Sequence, residues 1–277
     1  MVKKMVIIKS LSNKDYHAME GLSKSKMDKL EISPAHYKAS LEEPEKQTDA
    51  LTFGSLFHTM VLEPEKIEIE YAVEPIVNKR TNEGKQILAD FYEENKDKTI
   101  VTQEQMELAK TMAQKIYEHP IANKLLKAKG DCEISYFWND DKTGVLLKAR
   151  PDKVVDDIII DVKTTISANP NVFYKKAYDY GYHKQAAHFL DGYRACNGKN
   201  ASGFIFIAVE KEPPYAVCVY KASKEFIEKG EIDVRKNIEL FAECERTGIW
   251  RGYPEIIHEL NLPRWAYNEL MEEEYDE

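Results

Sequence analysis

The chain has 277 residues, 43% hydrophobic and 31% charged, with a formal net charge of −9. That apolar share supports a sizeable core, and no apolar run approaches the roughly 20 residues of a membrane helix. The four cysteines, Cys132, Cys196, Cys218 and Cys244, form no C-x-x-C pair and so argue against a zinc or iron–sulfur site. The apolar stretch at the start is too short for a secretory leader, so a cytoplasmic chain without disulfides is expected. Net acidity argues against a polyanion partner, but six acids fall within residues 269–277, so a basic surface elsewhere stays open.

In chain order, residues 1–9 read as an opening strand or a loose end. Ser23 is a fit N-cap for a helix reaching Leu30, since its hydroxyl can accept from the free N–H groups of the first turn. Ser33-Pro34 starts a second helix, with proline where its missing N–H costs nothing. After a Glu- and Lys-rich loop around Pro44, the spacing of Leu51, Phe53, Leu56, Phe57, Met60 and Val61 predicts a helix over 49–62, ended by Glu63-Pro64. On it, Gly54 would let another backbone approach, and His58 follows one turn later on the same face. By position alone such a histidine is more often a packed side chain than a ligand. Residues 65–82 read as strand and loop, closing on a basic turn at Lys79-Arg80 that either meets phosphates or faces solvent. Amphipathic helices are predicted over 83–95 and 103–119, then a short one over 122–129 stopped by Gly130.

Strands are predicted over 132–138 and 145–155, joined by a hairpin turn ending at Gly144. Glu133, Ser135 and Phe137 would share one strand face, where Glu133 is either a further acid of a site or an exposed strand end. A turn at Asp156-Asp157 leads into a third strand, whose apolar run Ile158-Ile159-Ile160 suits a buried position. Helical or turn structure follows over 169–180, then a helix over 182–196 that projects Tyr182 and Gln185 together. Two strands over 203–209 and 216–221 and a helix capped by Ser223 complete the order. Leu260, Leu262, Trp265 and Tyr267 give the last segment enough apolar surface to pack back on the body. The pattern predicts an α/β (α+β) chain forming one domain over 1–277: a mostly helical part over 1–130, a sheet core over 131–222, and a C-terminal helix and tail over 223–277.

One stretch of that core goes against the cost of burying charge, which is several kcal/mol or more for an unpaired ion. Asp152 ends one strand, and Asp161 and Lys163, two apart, share a face of the next. Paired carboxylates are the oxygen ligands that Mg²⁺ and Mn²⁺ prefer. An ammonium beside them can steady the negative charge of a phosphodiester under attack. The competing reading is a plain ion pair between Asp161 and Lys163 on an exposed sheet face.

Arg150-Pro151-Asp152, eight residues, then Asp161-Val162-Lys163 resembles the PD-(D/E)XK nuclease signature. Gly54-Ser55-Leu56-Phe57-His58 with Leu62-Glu63-Pro64 resembles the G-x-x-x-H-x-x-x-L-E-P helix of the RecB-like and RecE-like branch. Tyr182-His183-Lys184-Gln185 is similar to that branch's Y-x-x-Q element. Leu22-Ser23-Lys24-Ser25-Lys26, Ser33-Pro34-Ala35-His36-Tyr37 and Trp250-Arg251-Gly252-Tyr253 resemble the RecE-like exonucleases as well, so the likeness spans nearly the whole chain. It implies a restriction-endonuclease-like core, a central mixed sheet flanked by helices, with an N-terminal helical elaboration. It implies metal ligation by Asp152, Asp161, the Val162 carbonyl and His58, with Glu133 as a further acid. Asp152, Asp161, Lys163 and Gln185 would be catalytic, and Tyr182 and Gln185 would position substrate, with Arg150 and Arg80 as further candidates for substrate contact. The implied activity is a Mg²⁺-dependent exonuclease, Mn²⁺ substituting, that degrades double-stranded DNA 5′ to 3′ and leaves 3′ single strands for phage-type recombination. A ring-shaped homo-oligomer and a RecT-like annealing protein are the implied partners. The alternatives are a RecB-like single-strand nuclease or endonuclease, or an inactive DNA-binding or assembly module. The complete set of Asp152, Asp161 and Lys163 argues against the last. No P-loop occurs, so no ATPase is expected.

Overall fold

The computed structural model describes residues 5–42, 48–264 and 266–268, so the loop at Pro44, Trp265 and the acidic 269–277 lie outside the described residues. β1 (Val6–Ile8) leads into α1 (Asn13–Ala18), a short helix that the sequence pattern does not predict, capped by Ser12. α2 (Lys24–Ile32) and α3 (Pro34–Ser40) take Ser23 and Ser33 as N-caps, each side chain accepting from the N–H three residues on. α4 (Asp49–Leu62) has its predicted bounds. A 3₁₀ turn at Pro64–Lys66, α5 (Ile67–Glu70), β2 (Tyr71–Val73), α6 (Asn82–Glu94) and β3 (Thr99–Val101) follow, β2 and β3 pairing in parallel. α7 (Gln103–Glu118) starts on a Thr102–Gln105 capping box, and α8 (Pro120–Lys127) ends three residues before Gly130.

The remaining strands are β4 (Asp131–Cys132), β5 (Ser135–Asn139), β6 (Leu146–Ala149), β7 (Lys153–Val155), β8 (Ile158–Thr165), β9 (Gly203–Glu210) and β10 (Val217–Lys221). α9 (Pro170–Asp179) and α10 (Tyr182–Asn197) link β8 to β9, and α11 (Lys224–Thr247) follows β10. The main sheet has the order β10-β9-β8-β7-β4, parallel between β8 and β9 and antiparallel elsewhere, and a smaller sheet has the order β1-β5-β6.

Each strand predicted over 132–138 and 145–155 is therefore two strands in two sheets. The chain changes sheet at Glu133-Ile134 and again at Arg150-Pro151-Asp152. Glu133 takes the left-handed region at φ 49°, which ends regular pairing, and Pro151 has no N–H to offer a ladder. Glu133 consequently does not share a strand face with Ser135 and Phe137. The two crossings lie side by side, with the Glu133 N–H donating to the Asp152 carbonyl at 3.0 Å.

Both faces of the main sheet are covered, so its strands are apolar on both sides. Ile159, Phe204 and Phe206 pack on the side of α2, α10 and α11, while Ile160, Val162, Ile207 and Val209 pack toward α4 and α7. Two buried lysines hold helix ends to this frame, where carbonyls without intrahelical partners favour a cation. Lys148 donates to the Tyr16 and Met19 carbonyls at 2.8 and 2.7 Å, and Lys153 donates to the Leu126 carbonyl. Burial, with Lys26 and Arg150 nearby, lowers the Lys148 ammonium to about 8. Gly130 serves a close approach rather than a helix stop, since a Cβ there would sit 2.2 Å from the Val154 carbonyl oxygen.

The end segment departs from expectation. Trp250 does close the body, stacking on Tyr37 at 5.3 Å and meeting Phe241 edge-on. Leu260 and Leu262 nevertheless stand outside the core at 98% and 56% exposure, and Tyr267 is likewise exposed. A Cβ on Gly54 would meet nothing within 4 Å, so no backbone approaches α4 there. A Cβ on Gly230 of α11 would lie 2.0 Å from the His183 carbonyl oxygen of α10. Gly230→Ala is expected to destabilise the fold by about 1–3 kcal/mol, and Gly54→Ala to stabilise it by roughly 0.5–1 kcal/mol. Denaturant midpoints at unchanged slope measure both, and equal midpoints for the two variants would contradict this packing.

Candidate active site

β7 pairs with β8 only from Lys153↔Ile160 to Val155↔Ile158, so β8 runs on past Ile160 with one edge unpaired by backbone. The Asp152 side chain stands in for the missing strand, its Oδ2 accepting the Val162 N–H at 2.6 Å. The N–H and C=O of one strand residue point to the same edge, so the Val162 carbonyl faces this opening too. His58 reaches in from α4, its Nδ1 3.3 Å from Asp152 Oδ2. Glu133 enters from the neighbouring crossing, and one donor atom each from His58, Glu133 and Asp152 fits within 4.8 Å. Asp161 is not one of that trio: Oδ1 lies 2.6 Å from Lys163 Nζ, and Oδ2 accepts from Gln185 Nε2 at 2.5 Å. Lys163 Nζ sits 4.9 Å over the Tyr182 ring, which stacks on Phe206. With side-chain exposures of 1% for Asp161 and 18% for Lys163, the exposed-face ion pair does not hold.

The buried charges set one another's proton affinity. Desolvation, reinforced by Asp152, lifts Asp161 to about 6 against the pull of Lys163. Desolvation and Asp152 lift Glu133 to about 7. Burial alone would lower His58, but the Asp152 carboxylate beside it holds the imidazolium up to about 9. Asp152 is kept ionised, below the usual carboxylate range, because His58, Lys163 and the Val162 N–H together outweigh its burial. Oxygen donors around one imidazole are a set that hard and borderline divalent cations accept, so the residues present fit such an ion.

Arg150 lines the adjoining cavity, but its side chain is only 6% exposed and its Nε lies 3.8 Å from Glu133 Oε2. Its Nε and Nη2 donate to Ser135 Oγ and the Leu11 carbonyl at 2.9 and 2.8 Å, and its guanidinium lies 4.4 Å over the Tyr16 ring. Arg80 sits in an exposed turn before α6, its backbone N–H on the Asn78 side chain, and lines neither cavity beside the site. Lysines of α2, which the sequence reading does not assign to the site, also line the space beside it. A cleft of about 1020 Å³ opens from Glu133 and Gln185 toward Lys24, Lys26 and Lys29 of α2. A second, of about 560 Å³, opens beside Tyr182 and Thr164. Lys24 borders both, and the alternation of Lys and Ser at the cap of α2 is the sequence signal that points to it.

The family described as "PDDEXK-like domain of unknown function (DUF3799)" matches residues 23–261. The chain belongs to that family. The match bears out the resemblance to the PD-(D/E)XK nucleases, and its span takes in every element that builds the site. The chain is also similar to the crystal structure of a protein from Eubacterium rectale named provisionally as an exonuclease, at 13% identity and TM-score 0.63, covering 94% of this chain and 98% of that one. This likeness shows a shared fold. An alkaline exonuclease from Laribacter hongkongensis aligns at 16% identity and TM-score 0.28, covering 70% of this chain and 96% of that one, and carries no weight at that score. No curated protein matches. Among the described residues, no helix is long and apolar enough to cross a membrane.

Glu133 and His58 hold a proton below about 7 and 9 and would have to release it to ligate a cation, and Asp161 beside them ionises near 6. Divalent affinity therefore rises with pH. Calorimetric titration with Mn²⁺ is expected to show binding at least about tenfold tighter at pH 8 than at pH 6, with proton release. A pH-independent affinity would exclude these ligands.

Proposed function

We propose that the chain is a Mg²⁺-dependent exonuclease of double-stranded DNA that works 5′ to 3′ and leaves 3′ single strands for recombination, as the RecE-like resemblance implies. The observation that supports it best is the buried set of Asp152, Asp161 and Lys163, with His58 and Glu133, at the mouth of a lysine-lined cleft. His58, Glu133, Asp152 and the Val162 carbonyl would hold a divalent cation, with Asp161 beside them. When bound, the cation supplies Lewis acidity toward a phosphoryl oxygen. Lys163 supplies a fixed positive charge where negative charge grows on the phosphate, in a site that excludes most water. Gln185 and Lys163 divide the two oxygens of Asp161 between them, which fixes the carboxylate plane. Tyr182 holds the Lys163 ammonium over its ring and limits where it can swing.

In the assembled enzyme, a ring of copies would turn the α2 lysines inward and leave the acid-rich remainder outward, reconciling a net charge of −9 with a DNA substrate. A RecT-like annealing protein would receive the exposed strand.

Digestion of linear duplex DNA labelled separately at each 5′ and 3′ end, with closed circular DNA alongside, tests this reading. Release of 5′ label first, with Mg²⁺ and not with EDTA, and survival of the circles is the expected result. Cleavage of the circles would instead identify an endonuclease. Asp161→Asn and Lys163→Ala are each expected to lower the rate by about 100-fold or more while the protein stays folded. Undiminished activity in both would remove the assigned site.

A further inference from the structure

The smaller cavity shares Lys24 with the larger cleft, and of the candidate active-site side chains Tyr182 alone lines it. Its floor is the open edge of β8. The alternation that sends the Val162 N–H to Asp152 turns the Thr164 N–H to the same unpaired edge. Its wall is α9 and the turn after it, where Tyr180 stands 53% exposed with its ring 5.9 Å from that of Tyr182. A tyrosine half in water beside a second ring is an apolar platform without a cover.

The charges around this platform that lack an ion-pair partner among the described residues are of one sign. Lys176 Nζ lies 6.0 Å from the Tyr180 ring centre, and Lys211 borders the same space. Among the described residues neither ammonium has a carboxylate partner. The single acid bordering the cavity, Asp28, is already engaged by Lys24 at 2.8 Å, and Lys24 also donates to the Tyr180 carbonyl at 2.8 Å, which pins the ring's backbone to α2. Exposed aromatic faces flanked by unpaired lysines are what a single nucleic-acid strand requires: stacking for the base and positive charge for the phosphates.

We propose that this cavity is a nucleotide subsite for the strand adjoining the scissile phosphate, with Tyr180 stacking a base and Lys176 and Lys211 meeting the phosphates. The proposal rests on the nuclease reading and adds a location to it. One ring separates the two places. Tyr182 has Lys163 Nζ 4.9 Å over its ring and the Tyr180 ring 5.9 Å away, so a strand at the catalytic lysine has the Tyr180 ring within a nucleotide's reach.

The test is fluorescence anisotropy of a fluorescein-labelled twelve-residue oligothymidylate in EDTA, so that binding is read without cleavage. Tyr180→Ala is expected to weaken binding on the order of tenfold, and Tyr180→Phe to restore it. The pair Lys176→Ala with Lys211→Ala is expected to make the slope of log K against log salt shallower by about 1.4, at about 0.7 for each phosphate no longer neutralised. Lys175→Ala, a lysine of α9 that does not border the cavity, should change neither quantity. Mn²⁺ titration of Tyr180→Ala, unchanged from the parent, reports that the neighbouring site is intact. Parental affinity and salt slope in both the Tyr180→Ala and the double-lysine variants would overturn the subsite and leave the exposed ring to a protein partner. A parent protein that binds no oligonucleotide and degrades no DNA would instead overturn the nuclease reading beneath it.

Discussion

The site depends on one buried carboxylate. Asp152 lies under the surface between an imidazole, a backbone N–H and the ammonium of Lys163. An ion in such a place is tolerable only while its partners remain, since stripping one away strands the charge in a poor solvent. Its neighbours are adjusted around it. Burial pushes Asp161 and Glu133 toward neutrality and the Asp152 charge adds to it, while the same charge keeps His58 cationic against its burial. A divalent cation bound among these groups would displace their protons.

What places Asp152 there is a proline. Pro151 cannot donate to a ladder, so β7 begins one residue after the acid rather than before it. β8 runs on with that edge open, and the freed Val162 N–H becomes the acid's partner. The Pro-Asp pair acts physically as a stop followed by a substitute: the sheet ends, and a side chain completes its hydrogen bonding. The same interruption leaves the edge of Thr164 open beside Tyr182 and Tyr180.

Much of this is legible in the residues. Serine caps before α2 and α3 act over one turn, so Ser23 and Ser33 mark those helices plainly. The apolar spacing of α4 gives its bounds, and Ile158-Ile159-Ile160 gives the central strand. The two sheets are not legible, because continuous β-like stretches over 132–138 and 145–155 carry no local sign of which neighbour each half will pair with. Only the left-handed Glu133 and the proline at 151 divide them, and a positive φ at a glutamate has no sequence signature. Among the site residues, Asp152, Asp161, Lys163, His58 and Gln185 come together as their motifs imply. Arg150 does not offer its charge outward, since its guanidinium is claimed by Ser135, Leu11 and the Tyr16 ring, partners that tertiary structure alone supplies. The apolar residues of 254–264 mislead because hydrophobicity says that a side chain gains from cover but not where that cover lies.

The adjacent crossings at Glu133 and Asp152, bonded N–H to carbonyl, have a mechanical meaning. Each is a single-strand link between the small sheet and the large one. The two sheets are also clamped together by a shared core, in which Tyr136, Trp138, Leu147 and Ala149 of the small sheet pack with Ile159, Phe204 and Phe206 of the large one. The spacing of the two acids is therefore held by packing on both sheets as well as by the hydrogen bond between the crossings.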